Sequence, residues 1–291
     1  MKILLFGETG QVAREIQRRA GDVELECLGR EAADFSDPAA CAARVAKTDA
    51  NAIINAVAYT AVDRAEEDEA AATVVNAETP GAIARAAAAR GIPIVHISTD
   101  YVFDGAGEAP FAPDDTPAPL GAYGRSKLAG EVAVRSAGGP RAILRTSWVV
   151  SAHGSNFVRT MLRLGAERDG LNIVADQIGG PTCAADIADA CIAIAGHLVA
   201  EPAKSGTYHF SGAPDVSWAD FAREIFARAH ISCAVGDIPS TDYPTPARRP
   251  MNSRLDNSAT MAAFGIPRPD WRAGLDDILI ELGACAPGER R

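Results

Sequence analysis

The sequence is poor in lysine, lacks any paired cysteine motif and carries fewer basic than acidic residues. Only four of its 291 residues are lysines, and Asp and Glu outnumber Lys and Arg by 38 to 28, which gives a formal net charge of −10. An acidic surface repels nucleic acid and anionic membranes, so we predict neither as a partner. The six cysteines include no Cys-x-x-Cys pair, which favours reduced thiols over a zinc site or a disulfide framework.

Long apolar runs are also missing. The first ten residues, MKILLFGETG, contain a short apolar run that ends in a glycine turn. Such a run is too short for the apolar core of a signal peptide and far too short to span a bilayer. The composition, with 47% hydrophobic and 23% charged residues, is typical of a globular protein. We therefore expect a cytoplasmic enzyme.

Short apolar strands alternate with helices in the first half of the chain. We predict strands near residues 3–6, 23–28, 52–55, 92–97 and 142–145, and helices near residues 11–20, 70–90 and 122–136. This alternation is typical of parallel strands that are buried on both faces. It predicts an α/β fold with a doubly wound, Rossmann-like parallel sheet, forming a dinucleotide-binding domain of residues 1–150.

Two prolines mark helix boundaries in this half. A further helix is predicted to begin at Pro38, where the missing N–H costs nothing, with Ser36 as its cap. Pro80 is expected to kink or split the alanine-rich helix of residues 70–90, because proline cannot donate a helical hydrogen bond.

The pattern changes after Trp148. Helical stretches near residues 156–167, 185–198, 218–229 and 275–282 alternate with short strands and loops, and residues 238–250 contain four prolines. We predict a second, smaller mixed α/β lobe in residues 151–291 that closes over the end of the sheet. Some of its helices are expected to return to the first domain.

A glycine turn follows the first predicted strand and reads Gly7-x-x-Gly10-x-x-Ala13. Gly7 permits a sharp turn, Gly10 lets a pyrophosphate approach the backbone, and Ala13 lets the helix pack closely on the strand. Free N–H groups at the helix N-terminus favour phosphates. The spacing is looser than the usual dinucleotide fingerprint, but its strand–turn–helix context predicts a dinucleotide site. An ordinary glycine-containing turn is the alternative.

The end of the second predicted strand bears on the choice of nucleotide. It reads Cys27-Leu28-Gly29-Arg30 and contains no carboxylate, whereas an acidic residue there would bind the adenosine ribose and favour NAD. Arg30 is suited to a 2′-phosphate. The segment therefore predicts that NADP(H) is preferred over NAD(H), unless Arg30 is only a solvated surface charge.

Tyr123 and Lys127 stand four residues apart on one face of a predicted helix. A nearby ammonium is expected to lower the pKa of the Tyr123 phenol, so that it exchanges a proton with a carbonyl or an alcohol. Thr99 ends the fourth strand, at the sheet edge where ligands bind, and can hydrogen-bond the same substrate oxygen. A lone Tyr-x-x-x-Lys pair is often a coincidence, but its order after the glycine turn and Thr99 predicts an oxidoreductase.

Longer segments surround these motifs. They read LLFGETGQVA at residues 4–13, DFSDP at 34–38, NAVAYTAVDRAE at 55–66, STDYVFDG at 98–105, YGRSKLAGE at 123–131, RTSWV at 145–149, NF at 156–157, DQIGGPT at 176–182 and YPTPARRPMNSRLD at 243–256. With these segments the sequence resembles the dTDP-4-dehydrorhamnose reductase family of the extended short-chain dehydrogenase/reductase superfamily. The similarity runs along nearly the whole chain.

The resemblance implies a role for each matching residue. It assigns the pyrophosphate to Gly7, Gly10, Gln11 and Val12, the adenine to Asp34 and Phe35, and the nicotinamide side to Ala58, Tyr59 and Thr60. It assigns catalysis and the nicotinamide ribose to Tyr123 and Lys127, and the deoxysugar to Thr99, Asp100 and Trp148. It also implies that the lobe of residues 151–291 mainly binds the sugar nucleotide. The loop of residues 243–250 is expected to reach the nucleotide, with Arg248 or Arg249 suited to its diphosphate.

The resemblance also implies the reaction, in which NADPH reduces the 4-keto group of dTDP-4-dehydro-L-rhamnose to give dTDP-L-rhamnose. Some family members hold Mg²⁺ at a dimer contact through glutamates. Glu15 and Glu281 match two of those positions, but Ala185 stands where the third carboxylate is expected, and hard cations need several oxygen ligands. We therefore assign no metal ligand, and Mg²⁺ and a homodimer stay open alternatives.

Two other function classes remain. A nucleotide-sugar dehydratase would carry Glu after the Asp that follows the active-site Thr, whereas Tyr101 follows Asp100 here, and an epimerase would show an acidic residue after the second strand. The second alternative class is a non-catalytic, NADP-binding regulatory subunit. The intact Thr99, Tyr123 and Lys127 favour an enzyme, although the sequence leaves the exact sugar open.

Overall fold

A computed structural model describes residues 1–286 of the chain. The strands are β1 (Lys2–Phe6), β2 (Glu24–Leu28), β3 (Ala52–Asn55), β4 (Ile94–Thr99), β5 (Arg141–Thr146), β6 (Val149–Val150), β7 (Gly170–Val174), β8 (Ile178–Gly179), β9 (Thr182–Cys183), β10 (Gly206–His209), β11 (Val216–Ser217), β12 (Ala234–Ile238) and β13 (Asn252–Ser253). The helices are α1 (Gln11–Arg19), α2 (Pro38–Lys47), α3 (Val62–Ala65), α4 (Glu69–Thr73), α5 (Thr79–Ala89), α6 (Ala122–Ser136), α7 (Phe157–Glu167), α8 (Ala184–Ala200), α9 (Trp218–Arg228), α10 (Ser258–Phe264) and α11 (Trp271–Glu281).

A parallel sheet of six strands, in the order β10-β5-β4-β3-β1-β2, forms the centre of the molecule. The chain places β2 on one side of β1 and β3 on the other, so the winding direction reverses there. Ligands of open α/β sheets bind outside the carboxyl ends of the strands at such a reversal. The predicted doubly wound sheet is confirmed, but its outer strand β10 lies in the second half of the chain, where we predict no strand of this sheet.

Both faces of the sheet are covered because its strands are apolar on both sides. Along β1, Ile3 and Leu5 pack into one buried cluster, together with residues of α1 and α8. Leu4 and Phe6 point the other way, into a cluster with residues of α2 and α5. Burying one side chain of this size stabilises the folded protein by roughly 1.5–3 kcal/mol. The helices on both faces therefore hold the carboxyl edge of the sheet in place.

Two predicted helix boundaries can be compared with the structure. Asp37, not Ser36, caps α2, because its Oδ1 accepts a hydrogen bond from the Ala40 N–H at 2.9 Å. With Pro38 in the first helical position, Asp37 is the residue just before the helix, which is where a cap must stand. The predicted interruption at Pro80 is present, as a π-helical turn (Val74–Glu78) that separates α4 from α5.

Most of the second half packs around a separate cluster of buried residues, which includes Phe221, Ile225 and Trp271. A three-stranded sheet in the order β11-β8-β13 and the pairs β12-β7 and β6-β9 accompany it. However, α8 and β10 belong to the first sheet and its covering layer. The division into domains at residue 150 stays a prediction. Within residues 1–286, no helix combines the length and apolar character that crossing a membrane requires.

Candidate active site

The β1–α1 turn leaves the start of α1 open. Gly7 has a φ of 116°, a conformation that side chains rarely adopt, and this turns the chain sharply out of β1. Gly10 stands at the cap position of α1 and provides no side-chain hydrogen bond to the helix. The first N–H groups of α1, including those of Gln11 and Val12, therefore face the carboxyl edge as a ready site for phosphate oxygens.

The Gln11 side chain points to the second half of the chain. Its Oε1 accepts hydrogen bonds from Ser151 Oγ at 2.8 Å and from Asn156 Nδ2 at 2.9 Å. Asn156 also caps α7, where its Oδ1 accepts from the Arg159 N–H. These bonds fix the loop that follows β6 against the phosphate turn and occupy the side-chain oxygen of Gln11, which leaves its backbone N–H and side-chain NH₂ as donors for a pyrophosphate.

The carboxyl end of β2 carries charges of both signs. Arg30 is exposed, and Asp34 accepts a hydrogen bond from the Ser36 N–H at 2.9 Å. Glu8 of the phosphate turn also reaches this point, because its Oε2 occupies the space that a side chain at Gly29 would need. One premise of the cofactor prediction is therefore wrong: a carboxylate does stand at the end of β2, supplied from another segment of the chain.

The predicted cofactor residues Phe35 and 58–60 are held in place by different contacts. Phe35 is buried against Phe6, with ring centroids 5.7 Å apart, so its ring belongs to the core. Asn76, in the π-helical turn, exchanges hydrogen bonds with the backbone of Tyr59 at 2.8 and 3.2 Å and donates to Ser126 Oγ at 2.9 Å. Asn76 thus ties the segment of Ala58, Tyr59 and Thr60 to α6.

Thr99, Tyr123 and Lys127 meet at the carboxyl edge, where β4 and the start of α6 converge. Thr99 Oγ1 donates to Asp100 Oδ1 at 3.1 Å and also lies within hydrogen-bonding reach of the Tyr123 phenol. Lys127 is only 1% exposed, and its Nζ donates to the carbonyl of Ile97 at 2.7 Å. One ammonium proton is thereby used by the sheet, and two remain for other acceptors.

Burial dominates the electrostatics of this group. It raises the pKa of the Tyr123 phenol above its ordinary value, which is opposite to the predicted lowering by Lys127. Burial also lowers the pKa of the Lys127 ammonium to about 8, against the opposing effect of Glu131. The cause in both cases is that removal from water disfavours the charged form. Tyr123 therefore carries its proton at neutral pH and is prepared to act as an acid.

Glu131 is the centre of a buried network behind Lys127. It accepts two hydrogen bonds from the Arg145 guanidinium at 2.8 and 2.7 Å, and one from Ser98 Oγ at 2.6 Å. Lys127 and Glu131 are four residues apart on α6, so they share a helix face. The network joins β4, β5 and α6 directly beneath the candidate site.

The second half of the chain closes the other side of the site. Burial raises the pKa of the Asp100 carboxyl to about 6, while hydrogen bonds from Ser253 on β13 and from Thr99 oppose the shift. Trp148, just after β5, has a positive φ of 48° and stacks on Trp218 with ring centroids 3.5 Å apart. The half-buried Trp148 ring is thus held on a second aromatic ring rather than enclosed in the core.

The two arginines of the proline-rich loop differ in their surroundings. Arg249 Nη2 donates to Asp63 Oδ2 at 2.7 Å, and Asp63 Oδ1 accepts from the Ala247 N–H at 3.2 Å. Arg248 is exposed. Asp63 belongs to α3, and Glu66, which directly follows this helix, accepts a hydrogen bond from the Ala122 N–H at the start of α6 at 2.8 Å. This short helix therefore holds both the loop and the helix of Tyr123.

Comparison with known proteins places this geometry in a family. The family model described as RmlD substrate binding domain matches residues 1–283. A dTDP-4-dehydrorhamnose reductase from Sinorhizobium fredii is 43% identical over 278 residues, which cover 93% of this chain and 94% of the relative. The chain belongs to the dTDP-4-dehydrorhamnose reductase family.

Solved structures agree with this membership. The crystal structure of a dTDP-4-dehydrorhamnose reductase from Clostridium acetobutylicum matches with a TM-score of 0.90 and 36% identity, and the match covers 97% of this chain and 100% of that one. The structure of the Bacillus anthracis dTDP-4-dehydrorhamnose reductase in complex with NADP matches with a TM-score of 0.89 and 33% identity, covering 96% and 99%. The predicted resemblance and fold class are confirmed.

The metal site of some dTDP-4-dehydrorhamnose reductases does not fit the residues of this chain. Glu15, His153 and Glu281 do converge, with ligand atoms within 4.8 Å of one another. However, Arg18 Nη1 donates to both oxygens of Glu281 at 2.9 and 2.8 Å and to Glu15 Oε1 at 3.2 Å. A guanidinium thus supplies the positive charge of this cluster. The third group, His153, offers a nitrogen, whereas Mg²⁺ prefers oxygen ligands.

Sequence reasoning missed four residues around the site of this family member. They are Glu8, Asp63, Glu131 and Ser253. Glu131 could have been found, since it follows Lys127 by one helical turn. The other three act across segments that are distant in the sequence, and no local motif marks them.

Proposed function

We propose that this protein reduces the 4-keto group of dTDP-4-dehydro-L-rhamnose with NADPH to give dTDP-L-rhamnose. The observation that carries the proposal is that Thr99, next to Tyr123, and Lys127 lie at the carboxyl edge of the sheet that also carries the open N-terminus of α1, in a chain of this family. Relatives named for this activity are matched over nearly their full length. The Bacillus anthracis relative binds NADP, which supports the choice of cofactor.

The residues of the carboxyl edge fit a dinucleotide. The backbone around Gly7, Gly10, Gln11 and Val12 would hold the pyrophosphate, because the α1 N-terminus provides N–H groups and no side-chain cap. Arg30 would pair with the 2′-phosphate, and the segments of residues 34–35 and 58–60 would flank the adenine and the nicotinamide side. When bound, the cofactor supplies a hydride to the ketone carbon.

Tyr123 supplies the proton in the proposed reaction. As the ketone carbon is reduced, negative charge develops on its oxygen, and the buried phenol donates its proton to that oxygen. The raised pKa keeps the phenol protonated until this moment. Thr99, whose hydroxyl donates to Asp100 Oδ1 in the structure, would turn that proton to the same oxygen and orient it beside Tyr123.

Lys127 stabilises the phenolate that proton transfer leaves on Tyr123. Its bond to the Ile97 carbonyl holds the ammonium at the floor of the site. We propose that its two remaining protons serve the phenolate and the nicotinamide ribose. An ion in such a dry site acts more strongly than it would in water. Lys127 thus makes loss of the Tyr123 proton less costly without itself giving up a proton.

The substrate would lie between the sheet edge and the second half of the chain. We propose that Asp100 binds sugar hydroxyls, that Trp148 forms an apolar wall for the deoxysugar, and that Arg248 binds the diphosphate of the nucleotide. Arg248 is assigned this role because it is exposed, whereas Arg249 already pairs with Asp63. A guanidinium is well suited to phosphate oxygens.

The experiment that tests the proposal follows NADPH oxidation by purified protein supplied with the dTDP-4-keto sugar. We expect absorbance at the NADPH band to fall, and NMR to identify dTDP-L-rhamnose as the product. Formation of a different sugar would change the substrate assignment and leave the reaction class intact. Binding of NADP⁺ without turnover of any 4-keto sugar would contradict the proposal and favour a regulatory subunit.

A further inference from the structure

Glu8 lies where the phosphate turn and the end of β2 approach each other. Its Oε2 occupies the position that a side chain on residue 29 would need, and its Cδ lies 3.1 Å from that position, so the glycine makes room for the carboxylate. The backbone of Glu8 is fixed as well, because Gln17 Nε2 donates to its carbonyl at 2.9 Å. The nearby charge also contributes, after burial, to raising the pKa of the Cys27 thiol on β2. The fixed backbone of Glu8 thus carries its carboxylate next to Gly29.

This location matters for a bound dinucleotide. In folds of this type the pyrophosphate lies on the first helix and the adenosine ribose lies at the end of the second strand, where a carboxylate accepts a hydrogen bond from the 2′-hydroxyl. That carboxylate ordinarily follows the second strand itself. Here the strand ends in Gly29 and Arg30, and Glu8 delivers the carboxylate to the same place from the preceding turn.

We propose that Glu8 sets the preference between the two nicotinamide dinucleotides, by accepting a hydrogen bond from the 2′-hydroxyl of NAD(H) and repelling the 2′-phosphate of NADP(H). This inference rests on the proposed function, because it needs a dinucleotide at the α1 N-terminus. Arg30 acts in the opposite sense, since its positive charge attracts a 2′-phosphate. Arg30 alone would make the site selective for NADP(H). With Glu8 beside it, the preference for NADP(H) or NAD(H) depends on the opposing effects of the two charges.

The test compares Glu8→Gln with the wild-type protein by calorimetric titration. NADP⁺, NAD⁺ and the adenosine fragments 2′,5′-ADP and 5′-AMP are titrated separately, so that binding is read without turnover. Glu167→Gln is the matched control, because Glu167 is an exposed residue at the end of α7 and its loss changes net charge equally. Both substitutions are on the surface and conserve side-chain size.

We expect Glu8→Gln to tighten binding of NADP⁺ and 2′,5′-ADP about tenfold, because a like charge within a few ångströms is removed. Binding of NAD⁺ should weaken several-fold, and high salt should reduce the NADP⁺ effect. For Glu167→Gln we expect the ratio of NADP⁺ affinity to NAD⁺ affinity to change less than about twofold. The same small change in Glu8→Gln would overturn this inference and leave the proposed function standing. If the wild-type protein binds neither dinucleotide, both the proposed function and this inference are contradicted.

Discussion

Arg249 and Asp63 form an ion pair that joins the proline-rich loop to the short helix α3, with Nη2 and Oδ2 2.7 Å apart. Asp63 also accepts a hydrogen bond from the Ala247 backbone, so one carboxylate holds the loop at two points. The adjacent residues Arg248 and Arg249 therefore differ in what they can bind. Arg249 positions the loop, whereas Arg248 is exposed and is the arginine that we propose to bind the substrate.

Breaking this pair should weaken substrate binding more than turnover. We expect Asp63→Asn and Arg249→Gln each to raise the KM for the dTDP-sugar about tenfold, since a loosened loop must be ordered on binding at a cost of about 1–2 kcal/mol per residue. The dissociation constant of NADP⁺ should change little. Steady-state kinetics and calorimetry measure the two effects.

The double variant provides the control for that prediction. If the residues act through one contact, the KM of Asp63→Asn combined with Arg249→Gln should resemble that of either single variant. Arg248→Gln should add its own increase on top. Fully additive effects of Asp63 and Arg249 would show that they act separately.

Removing the Tyr123 hydroxyl should abolish most turnover and leave binding intact. We expect Tyr123→Phe to lower kcat by about 10²–10⁴-fold, the usual contribution of a positioned acid, while the dissociation constant of the dTDP-sugar stays within about twofold of the wild-type value. Stopped-flow measurement of NADPH oxidation gives the first quantity and calorimetry the second. Tyr208→Phe is the control, because the Tyr208 hydroxyl bonds the Lys204 carbonyl at the remote strand β10. Near-normal kcat in Tyr123→Phe would remove this residue from the mechanism.

The rate of reduction should fall as the pH rises through about 8. Lys127 has a pKa of about 8 in the folded protein, so its ammonium is present below that pH and lost above it. Glu131 opposes the lowering, and Glu131→Gln should therefore move the falling limb of the pH–rate profile to lower pH. The profile of kcat from pH 6 to 10 measures the shift.

Folding must be checked in the same variant. Glu131 is fully buried beneath Arg145, and breaking such a pair typically costs about 3–5 kcal/mol, so Tm should fall. Glu69→Gln is the control, because it removes an exposed ion pair with Arg125, which lies on α6 as Glu131 does. It should shift neither Tm nor the pH–rate profile appreciably. An alkaline limb that stays in place in folded Glu131→Gln would contradict the coupling to Lys127.

Chelators should leave the protein unaffected. Arg18 supplies the positive charge between Glu15 and Glu281, so we expect EDTA to change neither the rate of reduction nor Tm. Arg18→Ala should lower Tm, because it leaves two acidic groups facing each other without a cation. Loss of activity in EDTA that added Mg²⁺ restores would contradict the assignment.

Local patterns explain which features could be predicted from the sequence. The glycine turn, the strand end at Thr99 and the Tyr123–Lys127 pair each lie within a few residues, and strand–helix alternation places them at one edge of a sheet. The direction of the Tyr123 pKa shift was wrong because burial, which depends on the whole fold, raises this pKa, and the nearby Asp100 and Tyr101 raise it further against a hydrogen bond with Thr99.

Features that depend on distant segments could not be predicted in this way. Glu8 is a turn residue in the sequence, and only folding places its carboxylate beside Gly29. The strand β10 reads GTYH and contains no apolar run, and its pairing with β5 joins residues more than sixty positions apart. The assignment of Ser36 as a cap failed for a smaller reason, because Asp37 directly precedes the helix.

The late position of β10 has a consequence for synthesis of the protein. The sixth strand and the covering helix α8 leave the ribosome only after the first five strands have been made. Until then the nascent chain presents an unpaired β5 edge and an uncovered apolar face, both of which favour aggregation. The six-stranded sheet can therefore be completed only after His209, the last residue of β10, has left the ribosome.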